Sequence, residues 1–335
     1  MKKVLCFGEL LLRLSPAAGG EWLRKNSMPV YLGGAELNVA HALAKWNIPV
    51  AYFTSIPYHY LSREILQELS SKGIDISRVL LSGNRIGTYY IAQGSDLKNA
   101  GVIYDRAGSS FAELNPGTID WQKLLEGIDW FHFSAICPAL SNNAAIICKE
   151  VLQAAKTKGI TVSVDLNYRS KLWQYGKEPM EIMPELVEYC SVLMGNLWSV
   201  EKMLGIESSL EDSIGKSSEE LVEASGKTML RIHQSFPAIT DMAFTFRLDK
   251  SYFGVMQHGK EMVISKEFVL KQVLDKAGSG DCFMAGLIYG LTKNNPAQQV
   301  IDFASAAAVG KLSEIGDATQ RTEEQVLALI GDAQT

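Results

Sequence analysis

No stretch of this chain approaches the roughly 20 consecutive apolar residues that a membrane-spanning helix requires. The apolar run behind Lys2 and Lys3 is broken by Glu9 and Arg13, with no small-residue cleavage site after it. A soluble, cytoplasmic protein is the expectation. Cysteine is sparse: Cys6, Cys137, Cys148, Cys190 and Cys282 are odd in number, scattered and without a CxxC pair, which argues against disulfides and zinc. A large charge of one sign is missing too. With 32 basic and 37 acidic residues the net charge is −5, which gives no support to nucleic-acid binding or membrane-surface attachment. Without a repeat, a low-complexity tract or a clear interdomain linker, a single domain over residues 1–335 is expected. Two nucleotide motifs are also absent. Gly215-Lys216-Ser217 looks like the end of a P-loop, but Leu210 stands where the opening glycine belongs; Gly278-Ser279-Gly280 begins a dinucleotide fingerprint whose third glycine position is Phe283.

What is present is a rhythm of strands and helices, in a chain whose 47% hydrophobic content is enough for a real core. Apolar runs at Val4–Phe7 and Val50–Phe53 read as buried strands, and the alternation of Leu10, Leu12 and Leu14 as another. Helical spacing runs from Leu37 through Lys45 and over 61–69. From Trp130 the order becomes regular: strand 130–135 and helix 143–158, strand 161–164, then strand 192–194 and helix 198–204. Strands over 238–247, 252–257 and 261–264 and helices over 281–291, 296–312 and 322–330 follow. Such alternation predicts a parallel sheet covered on both faces, with Asp165, Asn167, Arg169 and Asn196 at strand C-terminal ends, where α/β proteins bind ligands. Segments 88–92 and 102–104 break the rhythm: they are β-rich around a polar turn with no helix between them, which predicts a hairpin. It carries Tyr89, Tyr90, Tyr104 and Arg106, the equipment of a lid over a polar ligand, although tyrosine also suits strands for its own sake.

The chemistry concentrates in Asp275-Lys276-Ala277-Gly278-Ser279-Gly280-Asp281, just ahead of a helical run. Small residues let the backbone turn tightly and aim N–H groups at one spot, to which the helix adds the positive end of its dipole. Asp281 at the mouth of such an anion site would repel a phosphate, so it asks for a second role. A general base for a hydroxyl attacking a bound phosphoryl group fits; an N-cap Asp at an ordinary strand-to-helix turn is the structural alternative. Gly33-Gly34 opens a second helix and permits a ligand close to backbone, with Asn38 one turn in.

These pieces resemble the ribokinase (PfkB) family of sugar kinases nearly end to end, most specifically through Gly33-Gly34 with Asn38 and Asp275-x-x-Gly278-x-Gly280-Asp281. The resemblance implies a ribokinase-like α/β fold: a central twisted, mostly parallel sheet flanked by helices. It also implies a small β-sheet lid from segments about 10–32 and 87–111 that closes over a small-molecule sugar and pairs two copies into a homodimer. Asp281 would be the base, and Ala277, Gly278, Ser279 and Gly280 the anion hole. Asn196, Arg247, Gly278 and Gly280 would lie along ATP; Mg2+ would accompany it, and the family pattern admits a monovalent cation.

Within the family the chain is most similar to kinases of 2-keto-3-deoxygluconate, through Tyr104-Asp105-Arg106 and Asp165-Leu166-Asn167-Tyr168-Arg169. A sugar acid brings a carboxylate that needs a counter-charge once water is excluded, whereas a neutral sugar does not. Arg106 and Arg169 are the expected partners of that carboxylate, with Gly33, Gly34, Asn38, Tyr89, Tyr104 and Asn167 lining the rest. A neutral sugar such as fructose or ribose, and a non-catalytic sugar-binding relative, are the alternatives. Ser199 stands where the family places a glutamate in Asn-x-x-Glu, and the nucleotide-side glycine turn is replaced near Arg247-Leu248-Asp249-Lys250, so metal ligands and nucleotide preference are unassigned.

Overall fold

A strand whose side chains alternate between two faces must be covered twice if both sets are apolar. In Val4–Phe7, Val4 and Cys6 join one hydrophobic cluster and Leu5 and Phe7 another, and all four are at most 1% exposed. The computed structural model, which describes residues 2–16, 22–23, 27–92, 101–208, 210 and 215–333, shows a three-layer solution to that requirement.

The strands in chain order are β1 (Val4–Phe7), β2 (Leu11–Leu14), β3 (Val30–Gly33), β4 (Val50–Phe53), β5 (Ser55–Ile56), β6 (Ile74–Asp75), β7 (Leu80–Leu81) and β8 (Gly87–Tyr90). They continue with β9 (Ile103–Asp105), β10 (Trp130–Ser134), β11 (Thr161–Asp165), β12 (Val192–Gly195), β13 (Asp241–Arg247), β14 (Ser251–His258), β15 (Glu261–Ile264) and β16 (Phe268–Val269). The helices are α1 (Ala35–Lys45), α2 (Tyr60–Ser71), α3 (Trp121–Leu124), α4 (Asn142–Thr157) and α5 (Pro179–Val187). After them come α6 (Leu197–Leu204), α7 (Ser218–Ser235), α8 (Ser279–Thr292), α9 (Ala297–Leu312) and α10 (Glu323–Asp332).

The main sheet runs β15-β14-β13-β12-β11-β10-β1-β4-β6, with β16 against β14. From β6 to β13 every pairing is parallel; β14, β15 and β16 add antiparallel pairs at one end. One face is covered by α3 to α7, the other by α1, α2, α8, α9 and α10. Small residues bring α8 and α9 together: a Cβ on Gly286 would come within 3.1 Å of the Ala304 Cβ, so the helix that carries Asp281 lies close against its neighbour.

A second sheet has the order β3-β2-β8-β9. The predicted hairpin is there as the antiparallel pair β8/β9, though β2 joins β8 in parallel. Register places Tyr31, Arg13, Tyr89 and Tyr104 in one row across the sheet, while Val30, Leu14, Tyr90 and Ile103 form the next row on the opposite face. Arg13 and Tyr89 are buried; Val30 and Ile103 are exposed. The polar turn over 93–100, and parts of the expected 10–32 segment, lie outside the described residues.

Besides the four-residue α3, two helices were not expected from the sequence, α5 and the 18-residue α7. Their signals are local: each opens with a capping box, Glu178 with Glu181 and Ser217 with Glu220, and α7 repeats apolar Leu221, Ala224, Met229 and Ile232 on one side. Among the described residues no helix is long and apolar enough to cross a membrane.

Phe7 sits in an aromatic cluster, its ring 5.2 Å from Phe53, 5.4 Å from Phe111 and 5.7 Å from Phe131. Phe7→Ala is expected to cost about 3–5 kcal/mol of stability by the cavity it opens. Denaturant unfolding checks this, and a loss below about 1 kcal/mol would contradict the assigned packing.

Candidate active site

Two helices begin on glycine at the C-terminal edge of the parallel strands. Gly34 (φ 133°) precedes α1 and Gly278 (φ 78°) precedes α8, and neither helix has a side-chain cap. A Cβ at Gly34 would overlap the Glu9 carbonyl oxygen and one at Gly278 the Asp317 carbonyl oxygen, so glycine is required by conformation and by space alike. Uncapped first-turn N–H groups leave an anion-binding end on each helix.

The two helix ends are fastened to each other. Asn38, one turn into α1, donates its Nδ2 to Asp281 Oδ2 at 2.7 Å, while Asn38 Oδ1 is buried without a partner. Glu36 anchors the same helix by accepting the Ser134 N–H at 2.8 Å and the Ser134 hydroxyl at the end of β10. Asp281 itself is half-buried, neither swallowed by the core nor free in solvent. Burial pushes its carboxyl up to about 8; Asp165 and Glu36 add to the rise, and the Asn38 bond and the Arg169 charge oppose it. Asp165 ends β11, next to Ser134 in register, which places a second carboxylate on this edge.

The anion loop differs in one donor from expectation. The Ala277 N–H is engaged by Asp275 Oδ1 at 3.2 Å, so it does not face a ligand. Ser279 sends its hydroxyl back to the Ala308 carbonyl at 3.1 Å and is buried, and Gly280 is exposed. The donors left for an anion are therefore backbone N–H groups at Gly278, Ser279 and Gly280.

Other expected ligand groups arrive already engaged. Arg106 gives Nε (2.7 Å) and Nη2 to Glu9 Oε2, with its guanidinium carbon 5.8 Å from the Tyr104 ring centre. Glu9 also accepts the Ser109 hydroxyl. One side of the Arg106 fork is thus held by Glu9. Tyr89 donates its hydroxyl to Asp317 and packs its ring over Gly33, where a Cβ would lie 3.0 Å from it. Its oxygen retains only acceptor capacity. Arg169 donates Nη1 to the Tyr168 carbonyl at 3.1 Å, and the Asn167 N–H closes a turn on Asp165 Oδ1 at 3.0 Å.

On the nucleotide side, Asn196 caps α6 through Oδ1 to the Ser199 N–H, and Ser199 returns its hydroxyl to the Asn196 carbonyl, both at 2.8 Å. Ser199 completes the capping box at the third position of α6, is 2% exposed, and supplies no carboxylate in place of the family glutamate. Arg247 ends β13, paired with Tyr252 across the turn to β14. Glu9, Arg13 and Asp317 were not among the expected site residues. The one signal for them was a charged residue inside an apolar alternation, Arg13 between Leu12 and Leu14. The open surface hollow lined by Glu113, Asn115, Ser141 and Asn143 holds none of these groups.

Among the described residues no cluster of three or more His, Cys, Asp or Glu is placed to hold a metal.

Proteins similar to this chain include kinases of sugar acids. The chain is 27% identical to 2-dehydro-3-deoxygalactonokinase of Haloferax volcanii over 99% of its own length and 98% of that protein. It is 25% identical to 2-dehydro-3-deoxygluconokinase of Bacillus subtilis, covering 90% and 87%. The crystal structure of 2-dehydro-3-deoxygluconokinase from Thermotoga maritima superposes with a TM-score of 0.88 at 31% identity, covering 99% of this chain and 100% of that one. The model of the pfkB family carbohydrate kinases matches residues 1–324, and with that match the glycine-opened helices and Asp281 find their context: this chain belongs to the PfkB family of ATP-dependent carbohydrate kinases.

Proposed function

We propose that the chain phosphorylates the terminal hydroxyl of a 2-keto-3-deoxy sugar acid, 2-keto-3-deoxygluconate first among them, with ATP as donor. The observation that carries this reading is Asp281, a half-buried carboxylate held by Asn38 beside an uncapped helix end.

The sugar rests against Gly33 and Gly34, where Asn38 Oδ1, buried without a partner, accepts one of its hydroxyls. Its carboxylate is met by Arg169 and by the Nη1 side of Arg106, which Glu9 holds in orientation. Tyr89, Tyr104 and Asn167 complete the wall. Asp281 takes the proton of the terminal hydroxyl as that oxygen attacks the γ-phosphorus of ATP and the bond to the bridging oxygen breaks toward ADP. Backbone N–H groups at Gly278, Ser279 and Gly280 receive the charge on the transferred group. Asn196 and Arg247 flank the nucleotide. Magnesium bound with ATP supplies positive charge at the phosphate oxygens. Closure of the small sheet over the sugar excludes water, so phosphate goes to the sugar rather than to water.

Two cationic side chains from separate parts of the chain favour an acid over fructose or ribose. Relatives named for the gluconate and for the galactonate, which differ in configuration at C4, stand at similar identity. An ADP-release screen of both epimers, fructose and ribose is expected to give turnover on the acids at least about tenfold above the neutral sugars. Equal rates on ribose or fructose would overturn the acid assignment. The exposed Val30 and Ile103 support a homodimer through the small sheet, which light scattering checks.

Asp281→Asn is expected to lower kcat by about 10² to 10⁴-fold with KM little changed. Full activity in that variant would remove Asp281 from the mechanism. The base must be ionised to work, so kcat/KM is expected to rise with pH through a limb well above the ordinary carboxylate range, toward 8. Arg169 holds that carboxyl down, so Arg169→Met should move the limb to higher pH while weakening the acid substrate more than a neutral one. A limb that stays near pH 4 in both proteins contradicts the assignment.

A further inference from the structure

Arg13 is 0% exposed in the second strand of the small sheet. A guanidinium so placed is costly unless well paired, and both of its carboxylate partners, Asp275 and Asp317, flank Gly278, while its Nε is buried without a partner. Arg13 Nη1 lies 2.8 Å from Asp275 Oδ2 and 3.5 Å from Asp317 Oδ2. Nη2 donates to the Ser15 hydroxyl at 3.2 Å, and the Tyr31 ring stands 5.4 Å from the guanidinium carbon. Asp275 in turn takes the Ala277 N–H on Oδ1 and the Gly316 N–H on Oδ2, each at 3.2 Å. Asp317 lays its carbonyl over Gly278 and accepts the Tyr89 hydroxyl. Both carboxylates therefore shape the loop, one on each side of Gly278.

Charge at this spot is balanced within the chain. Asp275 and Asp317 face Arg13 and a second buried cation, Lys311, which is 0% exposed and donates to the Glu314 carbonyl at 3.2 Å. Arg13 Nη1 already sits 2.8 Å from Asp275 Oδ2, the oxygen that also takes the Gly316 N–H, so a bare alkali ion on this carboxylate would lie against a guanidinium of the same charge. The residues do not fit the monovalent cation that the family pattern admits.

We propose that Arg13 is the resident cation of the phosphate-binding loop: a positioning residue that does the work of a monovalent ion and makes turnover independent of one. The same bridge fixes the small sheet to the loop, because Arg13 and Tyr89 are neighbours across β2 and β8.

The test compares KCl with tetramethylammonium chloride at equal ionic strength, using any acceptor that gives ADP release, and adds ATP affinity by calorimetry and melting temperature. The wild type is expected to keep kcat/KM, ATP affinity and Tm within about twofold, or the equivalent shift, in the two salts. Arg13→Ala is expected to lose more than about tenfold in ATP affinity and kcat, and to recover part of both in KCl or guanidinium, which also raise its Tm. A wild type that loses more than about tenfold without potassium, or is stabilised by it, overturns the proposal. So does Arg13→Ala behaving as wild type in both salts. If that variant does not fold, the wild-type comparison decides alone. The proposal rests on the kinase reading for its turnover arm only. Absence of turnover on every sugar would count against the substrate assignment, while ATP affinity and Tm still judge Arg13.

Discussion

The contact on which the site depends is the 2.7 Å hydrogen bond from Asn38 to Asp281. It joins the first turns of α1 and α8, two helices that begin on glycines with no side chain over their ends. Without it, the carboxylate beside the phosphate site would be held only by its own helix, in surroundings that disfavour its charge. With it, one amide holds the Asp281 carboxylate with its nitrogen, while its oxygen is buried without a partner. In the proposed mechanism the amide would link the two reactants, since the hydroxyl to be activated would belong to the molecule that Asn38 Oδ1 holds.

A second theme is that buried charges here are paired, with one gap at Arg13 Nε, which is buried without a hydrogen-bond partner. Glu9 holds Arg106, and Asp275 and Asp317 hold Arg13, with hydroxyls of Ser109 and Tyr89 filling remaining lone pairs. Removing any one member would leave its partner charged and unpaired in a dry place, which is far worse than never having had the pair. Arg13 and Arg106 both come from the small sheet region and both reach acids near the glycine turns. The sheet is attached to the site through charge as well as packing, and that attachment gives its position relative to the phosphate loop.

Much of this was legible in the sequence because it depends on local pattern. The apolar runs at β1, β4, β10, β11 and β12 and the two glycine turns follow from spacing and residue type, and β8 with β9 from the break in helical rhythm. Asp281 stood out in the sequence because a carboxylate beside a glycine turn that could bind an anion contradicts its surroundings. The partners of the site residues were not readable, since they lie far along the chain: Arg13 meets Asp317, Glu9 meets Arg106, and Asn38 meets Asp281 only after the fold closes. The bond from the Ala277 N–H was unreadable for the same reason in miniature, as its acceptor Asp275 had been read as part of a motif rather than as a group with lone pairs to fill. Helix α7 was a different kind of miss, because its Ser217-x-x-Glu220 capping box was in plain view beside a Gly-Lys-Ser string that drew a motif comparison instead.

The claim at the centre is geometric, and a structure with ADP and 2-keto-3-deoxygluconate bound tests it most directly. The account requires the terminal hydroxyl within about 2.6–3.2 Å of Asp281, with Asn38 still on that carboxylate and phosphate oxygens on the N–H groups that follow Ala277. A sugar bound with that hydroxyl directed away from Asp281, or nucleotide phosphates seated elsewhere than the first turn of α8, would contradict it.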